Sequence, residues 1–171
     1  DAMESRGLGD VYKRQGIGGE VFKRAGGVPV NIPGGELYTA LQTGVIDATE
    51  WVGPYNDLAF GFQQIAKYYY FPGWHEPGSM LEFIINLDAW NELPTHLQSI
   101  VKTAAKAVNQ DLLDEYTAMN NQALRELIDV HNVQLKKLPD DVINEFRVIS
   151  KSVLDEIAEN DNQFKSIYES Y

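Results

Sequence analysis

Residues 34–78 read GGELYTALQTGVIDATEWVGPYNDLAFGFQQIAKYYYFPGWHEPG. In two places a short apolar run gives way to Gly or Pro: at Glu50-Trp51 and at Trp74-His75-Glu76. Strands open into loops at such places. In open α/β sheets, ligands bind outside the carboxyl ends of the strands. The stretch therefore predicts one wall of a small-molecule cleft, with the acids Glu50 and Glu76 beside the indoles of Trp51 and Trp74. Such a cleft suits a cation, a sugar, or an anion held through a cation.

Outward from this stretch, short elements alternate. Val28 to Ile32 reads as a strand interrupted by Pro29, and Pro33-Gly34-Gly35 as a turn. Glu36 to Thr43 reads as a helix with Leu37, Ala40 and Leu41 inward, stopped by Gly44. Val45 to Trp51 follows as a brief strand, and Pro54 to Ala66 as a helix whose proline suits a first turn. Tyr68 to Phe71 is an aromatic strand and Met80 to Leu87 an apolar one. Strands alternating with short helices indicate an α/β fold. On the N-terminal side, GIGGEVFKRAGG (16–27) reads as a glycine turn, a short helix with Val21, Phe22 and Ala25 on one face, and a glycine stop. Its glycines lack the spacing of a phosphate-binding fingerprint.

Beyond Asn86 the pattern becomes helical. Asp88 is expected to cap a short helix, and Pro94-Thr95 to open a long one. Leu97, Val101, Ala104, Val108, Leu112, Tyr116, Met119, Ala123 and Leu127 recur at three- and four-residue steps, a row well above the usual helix length. Val133 to Leu138 reads as a strand. Pro139-Asp140-Asp141 starts a last helix with Val142, Phe146, Ile149, Val153 and Ile157 inward. Residues 16–87 are expected to form an α/β ligand lobe, and 88–171 the long helix and a C-terminal helical part. Residues 1–15, DAMESRGLGDVYKRQ, show no apolar period; they resemble read-through of a sequencing adapter or else form a floppy terminus, and contribute nothing to the expected fold.

The formal charge of −11 and the absence of any basic stripe argue against nucleic acid as a partner. With 44% hydrophobic residues the chain is expected to be globular. No run reaches the roughly 18 apolar residues of a membrane span. Without cysteine there is no disulfide framework, Cys-zinc site or Cys nucleophile. His75, His96 and His131 lack metal-ligand spacing, and no Ser-His-Asp arrangement is evident.

The segments GGELYTALQTGVIDATEWVGPY and AKYYYFPGWHEPG closely resemble the periplasmic solute-binding subunit of tripartite ATP-independent periplasmic (TRAP) transporters. Within that family they resemble most the branch that binds 2-oxo acids such as pyruvate, or lactate. The resemblance runs from about Gly16 to Tyr171. It implies a lobe of the type II periplasmic-binding-protein fold, incomplete at both ends, with a long helix that connects two lobes. It also implies a non-enzymatic, periplasmic protein that hands a small organic acid to TRAP membrane permease subunits, with a homodimer as an option.

Residue by residue, the resemblance assigns cation binding to Glu50, to the backbone carbonyl of Trp51, and to Glu76. The chemistry is consistent, because a carboxylate withdrawn from water needs a partner. A hard cation, Na⁺ or Ca²⁺, collects oxygen ligands from carboxylates, carbonyls and the bound acid. Trp51, Trp74 and Glu76 are expected beside the substrate, with the Tyr68–Tyr70 run mostly in the core. The family holds the substrate carboxylate with an arginine sixteen positions before the proline of a G-x-x-P segment; counting back from Pro29 lands on Lys13. An ammonium lacks the two-pronged fit of a guanidinium.

Two other function classes fit parts of the sequence. Glu50 and Glu76 at roughly 5 to 9 Å could act as the acid/base pair of a glycoside hydrolase. A helical interaction module built on the long helix would leave the Glu50 and Glu76 loops unexplained.

Overall fold

Two apolar patterns organise the chain, and each builds one core. The computed structural model describes residues 16–75 and 83–170. In the first core, helix α2 (Leu37–Gln42), entered through a 3-10 turn at Gly34–Glu36, turns Leu37 and Ala40 inward. They meet Ile32, Ile46 and Phe62, with Val30, Leu41, Trp51, Phe60 and Ile65 packed around them. In the second core, helices α1 (Ile17–Arg24) and α6 (Asp140–Asn160) pack together. Val21, Phe146 and Val153 are its buried centre, flanked by Phe22, Trp74, Val142, Ile149 and Ile157. The inward row expected for the last helix, Val142 to Ile157, is this face. Arg24 ties the same two helices at the surface, its Nη1 and Nη2 donating to Glu156 at 2.6 and 2.8 Å. This pair holds the Glu156 carboxyl below the usual range.

Helix α3 (Pro54–Phe60) carries its proline in the first turn. The expected helix to Ala66 breaks at Gly61, whose φ of 87° lies in the left-handed region open to glycine. A 3-10 turn at Phe62–Gln64 completes the segment. Strand β1 (Tyr68–Phe71) pairs in parallel with β2 (Gln134–Lys137), Tyr69 opposite Leu135. The crossover between them contains α4 (Leu87–Glu92) and α5 (Thr95–Asp129), the long helix expected from its apolar row. Parallel pairing through a helical crossover is the α/β arrangement. Helix α7 (Asn162–Tyr168) follows α6, capped by Asp161, which accepts from the backbone N–H of Gln163 and Phe164.

Two expected strands are absent. Val45–Trp51 is irregular, because the N–H groups of Val45 and Ile46 both turn back to the Ala40 carbonyl at 2.9 and 3.3 Å and close a turn after α2. Ile46 is buried all the same, so its apolarity serves packing rather than a ladder. Val28–Ile32 is also irregular; Pro29 has no N–H to give a sheet. The expected strand Met80–Leu87 falls partly outside the described residues; residues 83–86 are irregular and lead into α4. Asn86 rather than Asp88 caps α4, its Oδ1 accepting from the N–H of Asp88 and Ala89. Along α5 only Ala123 and Leu127 are buried, near the end of the helix. In β1, Tyr68 and Tyr70 are exposed and only Tyr69 turns inward, so the tyrosine run is not mostly core: strand alternation sends neighbours to opposite faces.

Candidate functional site

The candidate site gathers where the loop 50–53 enters α3 and the chain leaves β1. Glu50 and His75 meet there. His75 Nε2 lies 2.9 Å from Glu50 Oε2, with 22% and 24% of the two side chains exposed. A carboxylate this far withdrawn from water needs such a partner. His75, which lacks metal-ligand spacing in the sequence, is thus a direct neighbour of the proposed cation ligand.

Trp51 follows Glu50 and leans on the first core, its ring 5.2 Å from Phe60 and tilted by 49°. Trp74 belongs to the second core. It stacks on Phe146 of α6 at 4.2 Å and 17°, and meets His75 edge-on at 5.5 Å. Both indoles are half-buried. The Glu50-Trp51 and Trp74-His75 segments are therefore joined through the Glu50–His75 contact, and each is anchored on a different core.

Beneath the loop lies a residue that the sequence reading missed. Asp57, in the first turn of α3, is 8% exposed and is the buried charged side chain among the described residues. Its Oδ1 accepts from the N–H of Val52 and of Gly53, both at 3.3 Å. Its Oδ2 accepts from the Tyr69 hydroxyl at 2.6 Å. Burial raises the Asp57 pKa above the ordinary 3.8; the bonds from Tyr69, Val52 and Gly53 oppose this and the charge of Glu50 adds to it. Burial, with Asp57 beside it, pushes the Tyr69 phenol well above its usual range, so Tyr69 stays a donor. The sequence signal was an acid in the first turn of a helix opened by Gly-Pro, which by itself reads as ordinary helix-dipole pairing.

On its far side the loop meets α5. Asn120 Oδ1 accepts from the N–H of Tyr55 at 3.0 Å, and the Tyr55 ring meets Tyr116 edge-on at 6.0 Å. A Cβ at position 53 would stand 3.2 Å from Asn120 Oδ1, so the close approach favours glycine.

Chemically the site offers hard oxygen donors. The Glu50 carboxylate and the Trp51 carbonyl belong to consecutive residues, a set suited to Na⁺ or Ca²⁺ rather than a softer metal. No cluster of three or more His, Cys, Asp or Glu side chains able to hold a metal occurs among the described residues. Glu76 and Lys13 lie outside those residues, and so does the expected approach of Glu76 to Glu50. Among the described residues no helix is long and apolar enough to cross a membrane.

Comparison with known proteins gives the family of the chain. The family model of bacterial extracellular solute-binding proteins, family 7 (DctP), matches residues 13–161. The chain is 42% identical over 156 residues to a monocarboxylate 2-oxoacid-binding periplasmic protein of Nostoc, a match covering 91% of this chain and 43% of the relative. It superposes with a TM-score of 0.86 and 39% identity on a TRAP periplasmic solute-binding protein of Pseudoalteromonas atlantica holding sodium and pyruvate, covering 98% of this chain and 50% of that one. A TRAP transporter solute-binding protein of Bordetella bronchiseptica, a mixed-occupancy dimer with calcium and picolinate bound in one site, matches with a TM-score of 0.84 and 36% identity over 97% of this chain and 48% of that one. The chain thus spans about half the length of these relatives. Its α/β architecture with the long helix α5 is that of the TRAP periplasmic binding proteins, and the chain belongs to the DctP family of bacterial extracellular solute-binding proteins.

Proposed function

We propose that this chain forms part of an extracytoplasmic solute-binding protein that captures a small 2-oxo or 2-hydroxy monocarboxylate together with a bridging Na⁺ or Ca²⁺. The observation that carries the reading is the 39% identity and 0.86 TM-score to a protein holding both sodium and pyruvate. In this reading Glu50, the Trp51 carbonyl and Glu76 hold the cation. The cation supplies a positive charge that a 2-oxo acid chelates through its carboxylate and keto oxygens. Trp51 and Trp74 wall the ligand, and Lys13 stands where an arginine would take the carboxylate. Two lobes close on the acid by a hinge, and the loaded protein delivers it to TRAP permease subunits from the periplasm. A homodimer draws support from the dimeric Bordetella relative.

The protein is read as a carrier rather than a catalyst. Glu50 is engaged by His75, and none of the relatives described above is a hydrolase, so nothing favours the glycosidase alternative. The test is a melting-temperature screen of the intact binding protein. Pyruvate, longer 2-oxo acids and lactate should raise the midpoint by mass action, and oligosaccharides should leave it unchanged. Hydrolysis of a glycoside, or no response to any monocarboxylate, would overturn the reading.

A further inference from the structure

The loop that offers the Trp51 carbonyl is held from behind by a buried device. The 51–52 peptide is trans, since the one cis bond among the described residues is Phe71–Pro72. In a trans peptide the C=O and the N–H point in opposite directions within one rigid plane. The N–H half of this plane belongs to Val52 and is directed at Asp57 Oδ1; the next N–H, of Gly53, is directed at the same oxygen. The C=O half, which belongs to Trp51, is thereby aimed away from Asp57.

We propose that Asp57, locked by Tyr69, is a positioning residue that aims the Trp51 carbonyl at the bound cation. This rests on the reading of Glu50 and Trp51 as cation ligands. Asp57 cannot easily swing away, because its other oxygen receives the Tyr69 hydroxyl at 2.6 Å. Tyr69 is itself fixed in β1 by pairing with Leu135. On the opposite flank Asn120 closes on Gly53 and the N–H of Tyr55. The loop is thus gripped from α3, β1 and α5 at once, and the orientation of one carbonyl is set before any cation arrives. An acceptor on the N–H also polarises the peptide and enriches its carbonyl oxygen, which suits a ligand for a hard cation. Burial favours retention of this carboxyl inside the fold only with its hydrogen bonds complete.

Calcium titration of the intact binding protein by calorimetry, followed by pyruvate titration at saturating calcium, tests the role. The Glu50→Gln variant reports on the underlying reading. Tyr69→Phe should weaken calcium binding by about tenfold, the scale of one lost charge-assisted bond, with pyruvate affinity at saturating calcium close to that of the parent. Asp57→Asn, whose amide oxygen still accepts from Val52 and Gly53, should keep most of the calcium affinity, whereas Asp57→Leu should lose it. Should Asp57→Leu fail to fold, Tyr69→Phe and Asp57→Asn still decide the matter. If Glu50→Gln abolishes calcium binding while Tyr69→Phe binds it like the parent, the positioning role is overturned and the cation site stands. If Glu50→Gln also binds calcium like the parent, the cation site fails and this role fails with it.

Discussion

Glu50 and His75 lie 25 residues apart in the chain and touch at 2.9 Å, each about three-quarters withdrawn from water. The contact fastens the loop before α3 to the segment after β1. It gives a half-buried carboxylate a partner that a cation could replace. Loss of His75 should therefore hurt most when no cation is present. His75→Ala is expected to destabilise the cation-free protein by about 1–3 kcal/mol, the cost of leaving a withdrawn acceptor without its bond, and by clearly less at saturating calcium. Urea unfolding with and without calcium measures this. Equal losses in both conditions would contradict it.

Asp57 predicts a pH dependence of definite sign. Burial raises its pKa above 3.8, so the folded state favours the protonated form. That stabilisation is complete below 3.8, declines as pH rises toward the raised folded-state value, and is gone above it. Asp57→Asn removes the titration. The unfolding free energy of the variant minus that of the parent should thus grow as pH rises from 3.8 and then level off. A difference that shrinks over the same window would contradict the assignment.

The stack of Trp74 on Phe146 links the site to the α1–α6 core. Phe146→Ala should cost about 3–5 kcal/mol, as for other large buried aromatics, and should shift the tryptophan emission to longer wavelength as Trp74 loses its cover. Unchanged emission would place Trp74 elsewhere.

Gly61 ends α3 with φ at 87°. The nearest atoms to an added Cβ, Gln64 Nε2 at 3.4 Å and Tyr38 Cε2 at 3.6 Å, are at ordinary contact. The penalty of Gly61→Ala should then be conformational, about 1–2 kcal/mol, and Gly61→Asn should cost less because asparagine tolerates this region. Chemical denaturation of both variants checks the order.

The sequence made some of these features readable and hid others for physical reasons. The face Val142 to Ile157 of α6 and the Leu37–Ala40 pair were legible because helical spacing leaves a period in the chain. Val45–Trp51 was not, since a short apolar run looks alike whether it joins a sheet or, as with Ile46, fills a core from a turn. Gly61 could be seen but not weighed, because glycine is tolerated inside helices as well as after them. At the site, Glu50 and Trp51 stood out as an acid and an indole at a strand-like end, and family resemblance gave them roles. The pairings of Asp57 and His75 leave no local signal: their partners, Tyr69 and Glu50, lie 12 and 25 residues away, and only the fold brings them together.

If cation and acid share one site, calorimetric titration of pyruvate into the intact binding protein with and without Na⁺ or Ca²⁺ reveals it. The cation should strengthen pyruvate binding, pyruvate should strengthen cation binding by the same factor, and Glu50→Gln should remove both effects. Pyruvate affinity that is the same with and without cation, in the parent and in Glu50→Gln alike, would contradict it.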